Sequence, residues 1–95
     1  MRATRLFYDK TKLPDGSIVE MVIWRLPRTT AERQHGLKYS LFYGRDGKRM
    51  VGYDNELGKG DHKHIGPKET RYRFVSVEKL LADFLSDVET AKGKS

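Results

Sequence analysis

The fold is decided by the stretch Ser76-Val-Glu-Lys-Leu-Leu-Ala-Asp-Phe-Leu-Ser-Asp-Val88. Its apolar residues recur at intervals of three and four positions, the spacing that places side chains on one face of an α-helix. Ser76 stands just before the periodic run and belongs to the residue types that cap helix N-termini. The stretch therefore predicts an amphipathic helix with one face packed on another element. That face consists of Val77, Leu80, Leu81, Phe84, Leu85 and Val88.

Upstream of this helix the sequence has the composition of β-strands. Segments rich in β-branched and aromatic residues predict strands at 4–9, 18–26 and 37–43, with a short last strand at 70–75. A Pro-Asp-Gly turn joins the first two strands, and the glycine-rich segment Leu57–Lys68 is predicted to be a loop. We expect an α+β fold, in which an antiparallel sheet of four to five strands, built from two hairpins, is packed by one C-terminal amphipathic helix.

The second hairpin is predicted from the pair Asp46-Gly47. This pair is typical of a two-residue type I′ turn, because both positions of that turn need a positive φ. The turn predicts that Tyr43 lies opposite Met50. One face of the hairpin then carries Tyr39, Leu41, Tyr43 and Met50, and the other carries Phe42, Val51 and Tyr53.

The composition limits what the chain can be. Its 95 residues allow one domain, and we assign residues 1–92 to that domain and 93–95 to a disordered tail. Because there is no cysteine, disulfides, thiolate zinc sites, iron–sulfur clusters and thiol nucleophiles are excluded. The longest apolar run, Met21–Trp24, is far shorter than the roughly 20 residues of a membrane span. With no signal peptide recognised either, we expect a cytoplasmic protein that does not associate with membranes.

The net charge of +6 is concentrated in one part of the chain. Residues 24–73 contain 12 basic and 6 acidic residues, which accounts for the whole excess. A local excess of this kind can attract polyanions, although it can also serve only to keep a domain soluble.

The segment Tyr53-Asp-Asn-Glu-Leu-Gly-Lys-Gly-Asp-His-Lys-His-Ile-Gly66 contains the residue types that carry chemistry. Three interpretations of its histidines are open. His-x-His can bind a metal, but Lys59 and Lys63 add positive charge beside such an ion. Two imidazoles on one side of an extended chain can exchange protons with a phosphodiester, because histidine titrates near neutral pH. The basic side chains can also bind phosphate without chemistry.

The aromatic residues also allow two interpretations. Several of them interleave with basic residues, as on surfaces that stack bases and bind phosphates; alternatively most of them form the core of so small a domain. Trp24 is expected in the core, and His35, in a polar connection, is expected to be solvated. The interleaved aromatic residues are Tyr39, Phe42, Tyr43, Tyr53 and Tyr72.

Three segments together resemble the TumE family of small toxins of bacterial toxin–antitoxin pairs. They are Glu20-Met-Val-Ile-Trp-Arg-Leu-Pro27, Tyr53-Asp-Asn-Glu-Leu-Gly-Lys-Gly-Asp-His-Lys-His64 and Tyr72-Arg-Phe-Val-Ser-Val-Glu-Lys-Leu-Leu-Ala-Asp-Phe-Leu-Ser-Asp-Val88. The resemblance implies a growth-inhibiting toxin that a cognate antitoxin with a helix-turn-helix domain neutralises by direct binding. The family motif falls on Asp54, Asn55, Lys59, Asp61, His62 and His64.

Together these observations lead us to expect a toxin that acts on RNA, as a metal-independent endoribonuclease without a cofactor. The alternatives are a non-catalytic RNA- or ribosome-binding inhibitor and a protein-interaction subunit; a homodimer is also possible. We expect catalysis from His62, His64, Lys59 and Arg71. We expect substrate binding by Lys63, Lys68, Arg73, Arg49 and Tyr53. We expect the loop to be oriented by Asp54, Asn55 and Asp61.

Overall fold

Six antiparallel strands and one helix make up the part of the chain that this computed structural model describes, residues 3–31, 33–55 and 60–93. The strands lie in the sheet in chain order, each pairing with its sequence neighbours, so the sheet is a simple meander. Their bounds are β1 Thr4–Lys12, β2 Ile18–Arg25, β3 Leu37–Arg45, β4 Lys48–Asp54, β5 His62–Ile65 and β6 Lys68–Arg71. The helix α1 spans Val77–Gly93 and packs on one face of the sheet. The predicted α+β architecture is confirmed, with six strands instead of four to five.

The hairpin β3–β4 contains a bulge that the sequence did not predict. Asp46 and Gly47 have φ values of 54° and 76°, as a type I′ turn requires. Tyr43, however, pairs with Val51, so Met50 is an extra residue in β4. The predicted pairing of Tyr43 with Met50 is therefore wrong. Because one added residue reverses the direction of every later side chain, Val51 and Tyr53 join the face that carries Tyr39, Leu41 and Tyr43.

The predicted loop Leu57–Lys68 contains a strand and the start of another. β5 begins at His62 and is joined to β6 by a tight turn at Gly66, which has a φ of 58°. Each of these strands is only four residues long and mostly polar, so neither shows the apolar alternation that identifies a strand in sequence. The predicted last strand at 70–75 correspondingly lies earlier, at Lys68–Arg71.

The core lies between α1 and one face of the sheet. Leu80, Phe84 and Val88 are buried, and the Phe84 ring meets the Tyr53 ring edge-on with 5.6 Å between centroids. Leu85 is the exception in the predicted stripe, since it is 44% exposed. The sheet contributes Val19, Met21, Ile23, Leu37, Tyr39, Leu41, Tyr43, Val51 and Tyr53.

The helix begins where the sequence indicates. The Ser76 hydroxyl oxygen accepts a hydrogen bond of 3.1 Å from the backbone N–H of Lys79, which satisfies one of the free donors of the first turn. α1 ends at Gly93, the first residue of the expected tail, and the rest of that tail lies outside the described residues. In the described part of the chain, no helix has both the length and the apolar character to cross a membrane.

The other side of the sheet is not covered by α1, and we call it the open face. Strand register assigns its side chains, because residues paired across an antiparallel sheet point to the same side. Trp24 belongs to this face and is only partly buried, so the expectation that it lies in the core is wrong. The open face also carries Ser40, Phe42, Gly52, Asp54, His62, His64, Glu69 and Arg71.

Two substitutions in α1 test this packing. We expect Phe84→Ala to lower the free energy of unfolding by about 3–5 kcal/mol, because it removes a fully buried ring and leaves a cavity. Leu85→Ala, at an exposed position of the same helix, should cost less than about 1 kcal/mol. Urea unfolding followed by circular dichroism measures both. Equal losses for the two variants would contradict the described helix orientation.

Candidate active site on the open face

The two histidines of β5 project to the open face because side chains alternate along a strand. His62 pairs with Asp54 on β4 and with Arg71 on β6, and His64 pairs with Glu69 on β6. Three neighbouring strands thus place two imidazoles and two carboxylates together. We call Asp54, His62, His64 and Glu69 the histidine cluster.

His62 is the buried member of the cluster, with 5% of its surface exposed. Its Nδ1–H donates a hydrogen bond of 2.9 Å to the carbonyl oxygen of Gly60. Its Nε2 lies 2.5 Å from Asp54 Oδ1 and 3.4 Å from Glu69 Oε2. Asp54 Oδ1 is buried, and among the described residues its polar contact is this one with His62 Nε2. Both ring nitrogens of His62 therefore face protein groups.

His64 is more accessible, with 14% of its side chain exposed, and its Nε2 lies 3.5 Å from Glu69 Oε2. The His62 and His64 rings are edge-on, with centroids 5.1 Å apart. Burial, followed by the positive charge of Arg49, lowers the pKa of His64 below its ordinary value. At neutral pH the His64 imidazole is consequently uncharged, with a lone pair available on one nitrogen.

Gly52 makes room for Arg49 beside the cluster. It pairs with His64 on the open face, and a Cβ atom built on it lies only 2.6 Å from Arg49 Cδ. A side chain at position 52 would thus displace Arg49. The glycine allows an exposed cation to lie over the strand next to His64.

The structure separates several of the predicted site residues from the histidines. Lys63 points to the helix side, where its Nζ lies 3.4 Å from Asp87 Oδ2 and 5.6 Å from the Tyr53 ring centroid. Tyr53 is 1% exposed and its hydroxyl donates to Asp87, so its ring is not free to stack on a base. Lys68 pairs with Ile65 on that same side. These residues lie away from the cluster.

The remaining predicted residues differ in position. Arg71 is exposed on the open face beside His62. Arg73 is exposed beyond the end of β6. Lys59 lies outside the described residues.

Asn55 holds the end of β4 against β3. Fully buried, it accepts a hydrogen bond of 2.9 Å from the Tyr39 N–H and donates one of 2.7 Å to the Leu37 carbonyl. Arg33, also buried, donates through Nε and Nη2 to the Asn55 carbonyl oxygen at 3.1 and 2.9 Å. These contacts fix the chain immediately after Asp54.

Asp61 anchors the start of β5 in the same way. Its carboxylate accepts hydrogen bonds of 2.7 Å from the Tyr39 hydroxyl and 3.1 Å from His35 Nε2–H. The second ring nitrogen of His35 accepts a hydrogen bond of 3.1 Å from the Leu37 N–H. The centroid of the His35 ring lies 4.2 Å from the centroid of the Phe74 ring. The expectation that His35 is solvated is wrong, because only 14% of its side chain is exposed.

Glu69 is the residue of the cluster that the sequence did not predict. Glu69 directly precedes the last strand expected from the sequence, which begins at residue 70. The pair Gly66-Pro67 is nevertheless typical of a turn, and a hairpin at this turn brings Glu69 opposite His64. The signal was therefore present, but a hairpin of two four-residue strands is too short to be recognised by periodicity.

Comparison with known proteins now gives the family. The family model described as Toxin TumE matches residues 3–92. The chain belongs to the TumE toxin family. Membership makes this TumE-family chain a toxin of a toxin–antitoxin system and implies an antitoxin partner. No curated protein and no solved structure gives a significant match. All of the histidine cluster lies within the residues that match TumE.

The contacts of Asn55 in this TumE toxin can be tested by substitution. We expect Asn55→Ala to lower the free energy of unfolding by about 2–4 kcal/mol, because it leaves the buried N–H of Tyr39 and the carbonyl of Leu37 without partners. Ser40→Ala, an exposed position on β3, is the control and should cost less than about 0.5 kcal/mol. Chemical unfolding measures both. A loss for Asn55→Ala as small as that of the control would show that these hydrogen bonds do not fix the end of β4.

Proposed function

We propose that this TumE toxin acts on RNA in the cytoplasm as an endoribonuclease. The open face is the RNA-binding surface, and the histidine cluster is the active site. The observation that carries the proposal is that two imidazoles and two carboxylates converge on an uncovered, basic sheet face. Proton-accepting groups and a polyanion-binding surface are the two components that cleavage of a nucleic acid requires.

Basic residues on the open face support RNA binding. Arg49 and Arg71, both exposed, lie beside His64 and His62 respectively. Further cations follow the face away from the cluster toward β1. Strand register places there Lys38, Lys12, Lys10 and Arg5. An RNA backbone lying across the strands can thus contact several cations on its way to the cluster.

Aromatic rings on the same face support binding of unpaired bases. Tyr8 is 47% exposed, and the Arg5 guanidinium lies 5.2 Å from its ring centroid. Trp24 and Phe42 are half-buried on neighbouring strands. Sheet faces that present aromatic and basic side chains together are a common means of binding single-stranded RNA. The aromatic residues expected for this role from the sequence were mostly different ones, since Tyr39, Tyr43 and Tyr53 are buried.

The proposed reaction uses the 2′-hydroxyl of RNA as nucleophile. Its oxygen attacks the adjacent phosphorus while the bond from phosphorus to the 5′-oxygen breaks, which gives a 2′,3′-cyclic phosphate and a 5′-hydroxyl end. A base must take the 2′-hydroxyl proton, and an acid must protonate the leaving oxygen. Arg49 and Arg71 are positioned to stabilise the additional negative charge on the phosphate oxygens.

Within the cluster, the exposed members are the ones that can reach RNA. Glu69 is the most exposed member, with 45% of its side chain exposed, followed by Asp54 with 29% and His64 with 14%, whereas His62 is buried. His62 acts as a positioning residue in this proposal. This differs from the expectation that His62 and His64 are the acid and the base, because both ring nitrogens of His62 contact protein groups.

The TumE family implies an antitoxin as the partner of this toxin. We infer that the antitoxin carries a helix-turn-helix domain and neutralises the toxin by direct binding. A homodimer stays a prediction.

One variant pair separates catalysis from fold stability. We expect Glu69→Gln to reduce cleavage of total RNA by the full-length toxin at least 100-fold, with a parallel loss of growth arrest, because it removes a carboxylate from the cluster. Glu89→Gln is the matched control, since Glu89 is an exposed glutamate of α1 far from the histidines. Product ends are analysed for cyclic phosphate and free 5′-hydroxyl groups.

The other functional classes give different results in this experiment. If Glu69→Gln arrests growth like the wild type and wild-type toxin binds RNA without cutting it, the protein is an RNA-binding inhibitor. If the purified toxin neither binds nor cuts RNA, it is a protein-interaction subunit. Both results would contradict the proposal.

The RNA-binding surface has its own test. We expect the double variant Lys10→Gln with Lys38→Gln to bind single-stranded RNA more weakly, and the plot of log K against log salt to become shallower by about 0.7 for each cation removed. Lys79→Gln, on the exposed surface of α1, should leave that slope unchanged. Fluorescence anisotropy over a range of salt concentrations measures the slopes. An unchanged slope in the double variant would place the RNA elsewhere.

A further inference from the structure

We propose that the histidine cluster binds a divalent transition-metal ion, and that Zn²⁺ fits it best. The ligand atoms are Asp54 Oδ1, His62 Nε2, His64 Nε2 and Glu69 Oε2. One ligand atom from each of Asp54, His62 and His64 lies within 4.8 Å of the other two. Glu69 lies outside that group of three, but its Oε2 is close to both imidazoles, so a small shift of its side chain would complete the set. Two imidazole nitrogens with carboxylate oxygens form a donor set that suits zinc and other first-row divalent metals.

Two of the three ligand–ligand distances match those around a four-coordinate ion. Metal–ligand bonds of about 2.0–2.2 Å in a tetrahedron place the ligand atoms about 3.3–3.5 Å apart. Glu69 Oε2 lies 3.4 Å from His62 Nε2 and 3.5 Å from His64 Nε2. Asp54 Oδ1 is closer to His62 Nε2, at 2.5 Å, so one edge of the tetrahedron must widen by about 1 Å to admit the ion.

The orientation of the His62 ring suits a metal ligand. Its Nδ1–H donates to the carbonyl oxygen of Gly60, so Nε2 is the nitrogen that faces Asp54 Oδ1. These two atoms form an ion pair in this structure, and a metal ion would lie between them in its place. A backbone carbonyl that holds the far nitrogen is also the usual arrangement for a histidine ligand.

The burial of Asp54 Oδ1 supports the same site. Apart from the contact with His62 Nε2, no described residue offers this buried oxygen a hydrogen-bond donor. Buried charges in proteins either pair with an opposite charge or coordinate a metal. A metal ion at the cluster would satisfy this oxygen.

Lys63, one of the two lysines expected to add positive charge beside a metal, lies away from the cluster, whereas Arg49 and Arg71 lie next to it. Lys63 points to the opposite side of the sheet and pairs with Asp87. The carboxylates of Asp54 and Glu69 supply two negative charges to balance a divalent ion. The proposal therefore departs from the metal-free chemistry that the sequence predicted.

A metal here would change the role of the histidines from proton carriers to ligands. Such an ion supplies Lewis-acid stabilisation of charge on a phosphate oxygen. Glu69 is the exposed ligand on the edge strand β6, so substrate approaches the cluster from its side. The site itself does not depend on the endoribonuclease proposal, because metal binding can be measured without RNA.

The test is a zinc titration of the full-length toxin after removal of metal with a chelator. We expect one equivalent of Zn²⁺ to bind, seen by isothermal titration calorimetry, together with a rise in Tm of several degrees. Glu69→Gln and His64→Gln should each weaken binding at least tenfold, because each removes a ligand atom. Both positions are partly or fully exposed, so these variants are expected to fold, which circular dichroism checks. Glu89→Gln should bind zinc like the wild type.

The outcomes separate the two proposals. Absence of saturable zinc binding, or equal binding by wild type, Glu69→Gln and His64→Gln, overturns the metal site. Zinc binding without RNA cleavage upholds the metal site and rejects the endoribonuclease. RNA cleavage that persists in EDTA, with no zinc bound, rejects the metal site and upholds the endoribonuclease.

Discussion

The β-bulge at Met50 is the constraint on which the arrangement of this protein depends. The turn at Asp46-Gly47 starts β4 in one register, and the extra residue changes it within three positions. From there on Tyr53 faces α1 and Asp54 faces away from it. Because β5 pairs with β4, the same choice directs Lys63 to the helix and His62 and His64 to the open face. Without the bulge, core and site residues of β4 and β5 would exchange sides.

The two sides of the sheet consequently differ in composition and burial. The side under α1 contains the aliphatic and aromatic side chains of the core. Polar groups on this side form hydrogen bonds with the helix, such as the one that the Tyr72 hydroxyl donates to Asp83. Burial and the bond to Asp83 raise the pKa of the Tyr72 hydroxyl, which stays protonated at neutral pH. The open side carries cations, half-exposed rings and the histidine cluster. We therefore expect substitutions on the side under α1 to affect mainly stability.

Sequence reasoning succeeded where one local rule decides the structure. The three- and four-residue spacing defined α1 and its cap at Ser76, and Asp46-Gly47 defined a hairpin turn. It failed where two rules compete or where a contact joins distant segments. No sequence pattern indicates the bulge at Met50. The sheet faces predicted for Val51 and Tyr53, which follow it, were therefore the wrong ones. Arg33 and His35 were placed in a polar connection, but their partners Asn55 and Asp61 lie more than 20 residues away.

The candidate site was predicted in part for the same reasons. His62, His64 and Asp54 belong to one dense segment, and the alternation of a strand brings the histidines together. Glu69 joins the cluster through the pairing of β5 with β6, two strands too short and too polar to be recognised by periodicity. Tyr53 and Lys63 were assigned to substrate by their residue types, whereas burial and the pairing with Asp87 place them in the support of α1.

The meander order of the strands has a consequence for how the toxin is made. Each strand pairs with its neighbours in sequence, so the loops that must close are short and the sheet can form early in synthesis. The helix is translated after all six strands, yet it supplies the buried side chains that cover the apolar side. Until α1 has been synthesised, the apolar side of the sheet lacks Leu80, Phe84 and Val88, which are buried against it in the folded protein. We therefore expect the strands to pair first and the sheet to become stable only when the helix packs on it.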